Sequence, residues 1–61
     1  MTRKKTTILI VDDEPAILRY LRSNLETNGF RTFLARDGAE ALHIVEMELP
    51  DLIILDIINV I

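Results

Sequence analysis

Three short runs of aliphatic and β-branched residues alternate with two longer amphipathic stretches: TTILIV (Thr6 to Val11), FRTFLA (Phe30 to Ala35) and DLIILD (Asp51 to Asp56) are the short ones. Each short run has strand length, and the first is apolar without alternation before it stops abruptly at acids, as expected of a strand buried on both faces. The intervening stretches carry helical periodicity. The order strand, helix, strand, helix, strand with short connections is the pattern of an α/β fold with a parallel sheet.

The first helical stretch, DDEPAILRYLRSNLETNG, has Pro15 suited to a first turn, Asp13 or Glu14 as cap, and Gly29 placed to end it in a left-handed conformation. Ile17, Leu21 and Leu25, with Leu18 beside them, make one apolar stripe, leaving Arg19, Arg22 and Glu26 for water. The second stretch, RDGAEALHIVEMEL, has Asp37 as cap with Glu40 at capping-box spacing, an apolar side of Ala41, Leu42, Val45 and Leu49, and Pro50 as its stop. The third strand starts at Asp51 or Leu52.

The chain has 61 residues, and a domain of that size buries only roughly 60% of its unfolded surface, so its stability is marginal without a staple. It has no cysteine, which excludes a disulfide framework or a thiolate zinc site and leaves oligomerisation as the expected staple. The formal net charge of −3, with a single basic run at Arg3 to Lys5 and no aromatics interleaved, argues against nucleic-acid binding. The apolar run after those basic residues is cut off by DDE, so it does not read as a signal peptide. No apolar run approaches the ~20 residues needed to span a bilayer, and the expectation is a cytoplasmic protein without a membrane span.

Parallel neighbours need right-handed crossovers, and a strand order of 2-1-3 places the two helices on opposite faces. The switch point then falls at the carboxyl ends of strands one and three, bringing Asp12, Asp13 and Asp56 to one edge of the sheet. Three carboxylates so placed repel unless a cation or a specific hydrogen-bond network compensates, and Mg2+ suits such an oxygen set. Asp56 would then be a nucleophile toward phosphorus, forming an acyl phosphate. Acids are also favoured at a helix start by capping and by the helix dipole, which is the alternative account of Asp12, Asp13 and Glu14. Asp56 lies among Ile53, Ile54, Leu55, Ile57 and Ile58, where an unpaired acid is costly.

The segments TTILIVDDEPAILRYLRSNLETNGF and DGAEALHIVEMELPDLIILDI resemble the receiver domain of two-component response regulators, a flavodoxin-like fold, over residues 6 to 58. The resemblance implies that Asp56 is the phosphoacceptor, Asp13 a direct Mg2+ ligand, Asp12 a ligand through water, and the backbone carbonyl of Ile58 a further metal contact. It implies a sensor histidine kinase as partner and a phosphoacceptor module rather than an enzyme. It also implies a single domain, residues 1–61, that represents the first three strands and two helices of a receiver twice as long.

The family's Ser or Thr at the end of strand four and its Lys at the end of strand five, donors of the kind that stabilise phosphoryl charge, have no counterpart here. Val60 stands where the family has Pro after the acceptor. Strand three would then be an aliphatic edge, and such edges pair or aggregate unless covered. The expectation is a homodimer through Leu52 to Ile61 in a six-stranded sheet of order 2-1-3-3'-1'-2'. Ile53, Leu55, Ile57 and Asn59 would share one face, and Leu52, Ile54, Ile58 and Val60 with Asp56 the other.

His43 reads as a solvent-facing or packed residue, Tyr20, Phe30 and Phe33 as packing residues, and Met47 as filler near a helix end. Two further functions compete with the phosphoacceptor: a half-domain that no longer signals and only self-assembles, and a phosphohydrolase fragment. The last expects Asp-x-Asp after strand one, a spacing VDDEP lacks.

Overall fold

β1 (Thr7–Val11) is buried at every position and forms the centre of the sheet. It belongs to a computed structural model that describes residues 4–55 of the chain. Around β1 are α1 (Pro15–Thr27), β2 (Arg31–Ala35), α2 (Gly38–Glu48) and β3 (Leu52–Leu55). The strand order is β2-β1-β3 with both pairings parallel, as the alternating pattern predicts. Thr7 stands opposite Arg31 and Val11 opposite Ala35 on one side; Ile8 stands opposite Leu52 and Val11 opposite Leu55 on the other.

Both helices have the ends their sequences call for. Glu14 caps α1, its carboxylate accepting the Ala16 N–H at 3.3 Å, and Pro15 occupies the first turn, where no N–H is needed. At the other end the Gly29 N–H donates to the Glu26 carbonyl at 3.1 Å and the Phe30 N–H to the Leu25 carbonyl at 3.0 Å. That pair of bonds is a Schellman motif, and the φ of 90° at Gly29 is the conformation it requires. The bond also holds Phe30 to the helix end, so β2 begins at Arg31 rather than at Phe30.

Asp37 caps α2 by accepting the Glu40 N–H at 2.8 Å. Glu40 reaches back as the spacing predicts, but to the N–H of Arg36 at 2.9 Å, one residue before the cap. The helix ends at Leu49, whose φ of 49° and ψ of 63° are left-handed. Pro50 disfavours a right-handed helical conformation at the residue before it, and with no glycine available Leu49 makes the turn.

The core has a layer on each side of the sheet. Ile8 and Ile10 of β1 pack with Leu18 of α1, joined by Leu21, Leu25, Phe30, Leu34 and Ile54. Leu9, Val11 and Ala35 form the other layer with Phe33, Ala41, Ile44 and Val45. The helices therefore cover opposite faces, as the 2-1-3 order predicts. Side chains of β3 alternate as expected for Leu52 to Leu55; Asp56, Ile57, Ile58, Asn59 and Val60, the rest of the predicted faces, lie outside the described residues.

Several packing expectations are corrected. Leu42 and Leu49 are 63% and 78% exposed, and Ile44, not either of them, completes the α2 seam with Ala41 and Val45. Ile17 lies off the α1 seam of Leu18, Leu21 and Leu25 and is partly exposed. Tyr20 and Met47 point to solvent; so does His43, solvent being one of its two expected placements. The physical reason is shared for the α2 residues: both helices lie over β1 and β2 and neither lies over β3, so only the side chains directed at the first two strands are covered.

Candidate functional site

β1 ends at Val11, and the chain leaves the sheet through Asp12, whose N–H donates to the Ala35 carbonyl of β2 at 3.0 Å. This bond extends the ladder by one residue and draws Asp12 under the edge, where it is only 4% exposed. One carboxylate oxygen, Oδ1, accepts the Glu14 N–H at 2.9 Å, a local turn that opens α1. The other, Oδ2, is buried and has no hydrogen-bond partner among the described residues. A buried carboxylate oxygen left without a donor costs free energy comparable to a lost charged hydrogen bond. Asp12 is thus more than a helix-start acid, because Glu14 does the capping.

Asp13 is exposed beside it, and Glu14 follows. All three line a groove of about 930 Å³ that runs from the carboxyl edge of the sheet down the uncovered face of β3. Its floor is apolar, formed by Val11, Ala41, Val45, Ile53 and Leu55, and its upper end carries Asp12, Asp13, Glu14, Asp37 and Arg36. Arg36 and Asp37 escaped the reading for chemistry because Asp37 is fully explained as a cap. Their signal was the strand order itself, which puts the turn after β2 at the same edge as the turn after β1.

Asp12 and Asp13 stand together at that edge, and Leu55, directly before Asp56 in the chain, pairs with Val11, directly before Asp12. Asp56 and Ile58, the predicted acceptor and carbonyl ligand, lie outside the described residues. Among the described residues no group of three His, Cys, Asp or Glu side chains is placed to hold a metal ion. The donors that are present nevertheless fit a hard divalent cation: a buried carboxylate oxygen lacking a partner, with a second carboxylate next in the chain, is an oxygen set that a cation would satisfy.

The model of the response regulator receiver domain matches residues 8–58. The chain belongs to the response regulator receiver family. It is similar to the alkaline phosphatase synthesis transcriptional regulatory protein PhoP of Bacillus subtilis, with 52% identity over 50 residues, covering 82% of this chain and 21% of that protein. It is similar also to the transcriptional regulatory protein KdpE of Mycobacterium tuberculosis, with 46% identity over 52 residues, covering 85% of this chain and 23% of KdpE. The response regulator MprA of Mycolicibacterium vanbaalenii is 44% identical over 50 residues, 82% of this chain and 22% of MprA. The receiver sequence thus spans between a fifth and a quarter of these relatives. No solved structure matches. Within the described receiver residues no helix is long and apolar enough to cross a membrane.

Proposed function

We propose that this receiver accepts a phosphoryl group on Asp56, with Mg2+ held by Asp12, Asp13, Asp56 and the Ile58 carbonyl. The observation that carries the reading is Asp12, buried at the carboxyl edge of a 2-1-3 sheet with Oδ2 unpartnered among the described residues. Family membership and the Val11 to Leu55 pairing support it.

In the reaction a carboxylate oxygen of Asp56 forms a bond to phosphorus as the phosphorus–nitrogen bond of a phosphohistidine breaks, and the departing imidazole takes a proton. The donor is a sensor histidine kinase, and the module works in the cytoplasm as an acceptor rather than an enzyme. When bound, Mg2+ supplies positive charge against the carboxylates and the phosphoryl oxygens, which would otherwise repel. Asp12 and Asp13 act by holding that cation beside the acceptor. The Asp12 Oδ1 bond to Glu14 keeps the first of them in place.

Incubation of the chain with Mg2+ and a small acyl phosphate, followed by intact-mass measurement, tests the reading. One added phosphoryl group that disappears in Asp56→Asn is the expected result, and an unmodified parent chain overturns it.

A second reading rests on β3, where Leu52, Ile53 and Leu55 are 53%, 42% and 55% exposed on a strand paired, among the described residues, only with β1. Such an edge suits pairing with a second copy of the chain through Leu52 to Ile61. A mass in solution equal to one chain at micromolar concentration removes that reading.

A further inference from the structure

The register of β3 on β1 is weakly determined by its own side chains. All four residues, Leu52 to Leu55, are aliphatic, so a slip along β1 by one or two places would still present aliphatic groups to both faces. In most half-buried strands a one-residue slip is forbidden because it exchanges polar for apolar; here that penalty is absent. Yet the register decides whether Leu55, the residue before Asp56, stands level with Val11, the residue before Asp12. A two-residue slip moves Leu55 by about 6.6 Å.

The residue that leads into β3 is Asp51, at the opposite end of the sheet from Asp12 and Asp13. Its N–H donates to the Thr7 carbonyl at 2.9 Å, and its side-chain Oδ2 accepts the Thr7 N–H at 2.8 Å. Thr7 is 8% exposed, so its N–H needs a protein acceptor. In a continuing parallel ladder with Ile8 opposite Leu52, that acceptor would be the carbonyl of Pro50, the residue before Asp51. Pro50 follows the left-handed end of α2 at Leu49 and does not supply it. The Asp51 carboxylate takes its place.

We propose that Asp51 is a positioning residue that sets the register of β3 and thereby the level of the phosphoacceptor relative to Asp12. Its two bonds to one residue are compatible with a single alignment: any slip carries the carboxylate away from Thr7 and leaves the buried N–H without an acceptor. The part of the inference that concerns the acceptor rests on the phosphoacceptor reading; the part that concerns register does not.

The chain has no cysteine, which makes disulfide trapping of the register unambiguous. Directly opposed Cα atoms on neighbouring strands lie about 4.8 Å apart, within disulfide reach, whereas a two-residue offset places them about 8 Å apart, beyond it. In an otherwise unaltered chain, Ile8→Cys with Leu52→Cys is expected to cross-link, and neither Ile10→Cys with Leu52→Cys nor Ile8→Cys with Ile54→Cys. With Asp51→Ala added, at least one of the offset pairs is expected to cross-link, while Asp51→Asn, whose amide oxygen still accepts the Thr7 N–H, keeps the original pattern. Cross-linking of the aligned pair alone in Asp51→Ala overturns the proposal, and so do offset cross-links in Asp51→Asn.

Amide exchange in the unsubstituted chain guards against a variant that does not fold, since a rapidly exchanging Thr7 N–H would show the bond absent and overturn the proposal by itself. Modification of Asp56 is expected to fall at least about tenfold in Asp51→Ala and to recover in Asp51→Asn. An unmodified parent chain defeats the phosphoacceptor reading and leaves the register to be decided by the cross-links.

Discussion

Asp12 accepts the Glu14 backbone N–H through Oδ1 at 2.9 Å while its Oδ2 lies buried without a hydrogen-bond partner among the described residues. The same side chain is half satisfied and half left for something else. The bond to Glu14 fixes the carboxylate, and the second oxygen is the one the proposed Mg2+ would meet.

Asp12→Asn retains an oxygen for the Glu14 N–H and removes the buried charge. Without divalent cations its stability is expected to lie within about 1 kcal/mol of the parent, lost charge burial offsetting an unpaired amide N–H. The parent is expected to gain about 2.7 kcal/mol at a Mg2+ concentration a hundred times its Kd, and Asp12→Asn little or none. Thermal melts with and without Mg2+ make the comparison; equal gains in both proteins contradict a role for Asp12 in holding the ion.

Leu49 ends α2 at a φ of 49° with 78% of its surface exposed. A side chain there costs conformational energy and buries little, so Leu49→Gly or Leu49→Asn is expected to stabilise by about 0.5–1 kcal/mol. Urea denaturation reads the change. A loss of stability would mean that the exposed leucine packs on something in solution.

Leu9 is fully buried at the centre of the α2-side layer, whereas Leu42, next in the chain to Ala41 of that layer, is exposed. Leu9→Ala is expected to cost about 2–5 kcal/mol, most of the stability of a domain this small. Leu42→Ala should stay within about 0.5 kcal/mol. Circular dichroism across a urea series distinguishes them, and a large loss in Leu42→Ala would place it in a covered interface.

Asp37 stands in the acid-rich end of the groove but is bonded as a helix cap, its Oδ1 accepting the Glu40 N–H at 2.8 Å. Asp37→Ala is expected to lower stability by about 1 kcal/mol and leave Mg2+ affinity within about twofold. Calorimetric titration with Mg2+ separates the two roles, and a tenfold loss of affinity would make Asp37 part of the ion site.

The elements, their order and most of their ends were legible in the sequence because each is written in local chemistry. Pro15 and Glu14 start one helix, Gly29 ends it, Asp37 and Glu40 start the next, and Pro50 stops it. The burial of β1 on both faces was equally plain from an apolar run without alternation. The acids Asp12 and Asp13 were legible as a pair at the end of a strand, and family resemblance attached roles to them. The α2 seam was misread at Leu42 and Leu49, because periodicity marks a face without saying how far the sheet beneath it extends.

By itself, then, the sequence determined the α/β class, the parallel sheet and the placing of Asp12 and Asp13 at the end of its first strand, consequences of element order, while handed crossovers left a few topologies of which the observed 2-1-3 order is one. Only the tertiary structure decided that Asp12 is buried with one oxygen unpartnered among the described residues while Asp13 is exposed, and that Asp51 closes the ladder on Thr7. Those facts depend on the backbone groups that Ala35, Glu14 and Thr7 present across the fold, which no spacing along the chain records.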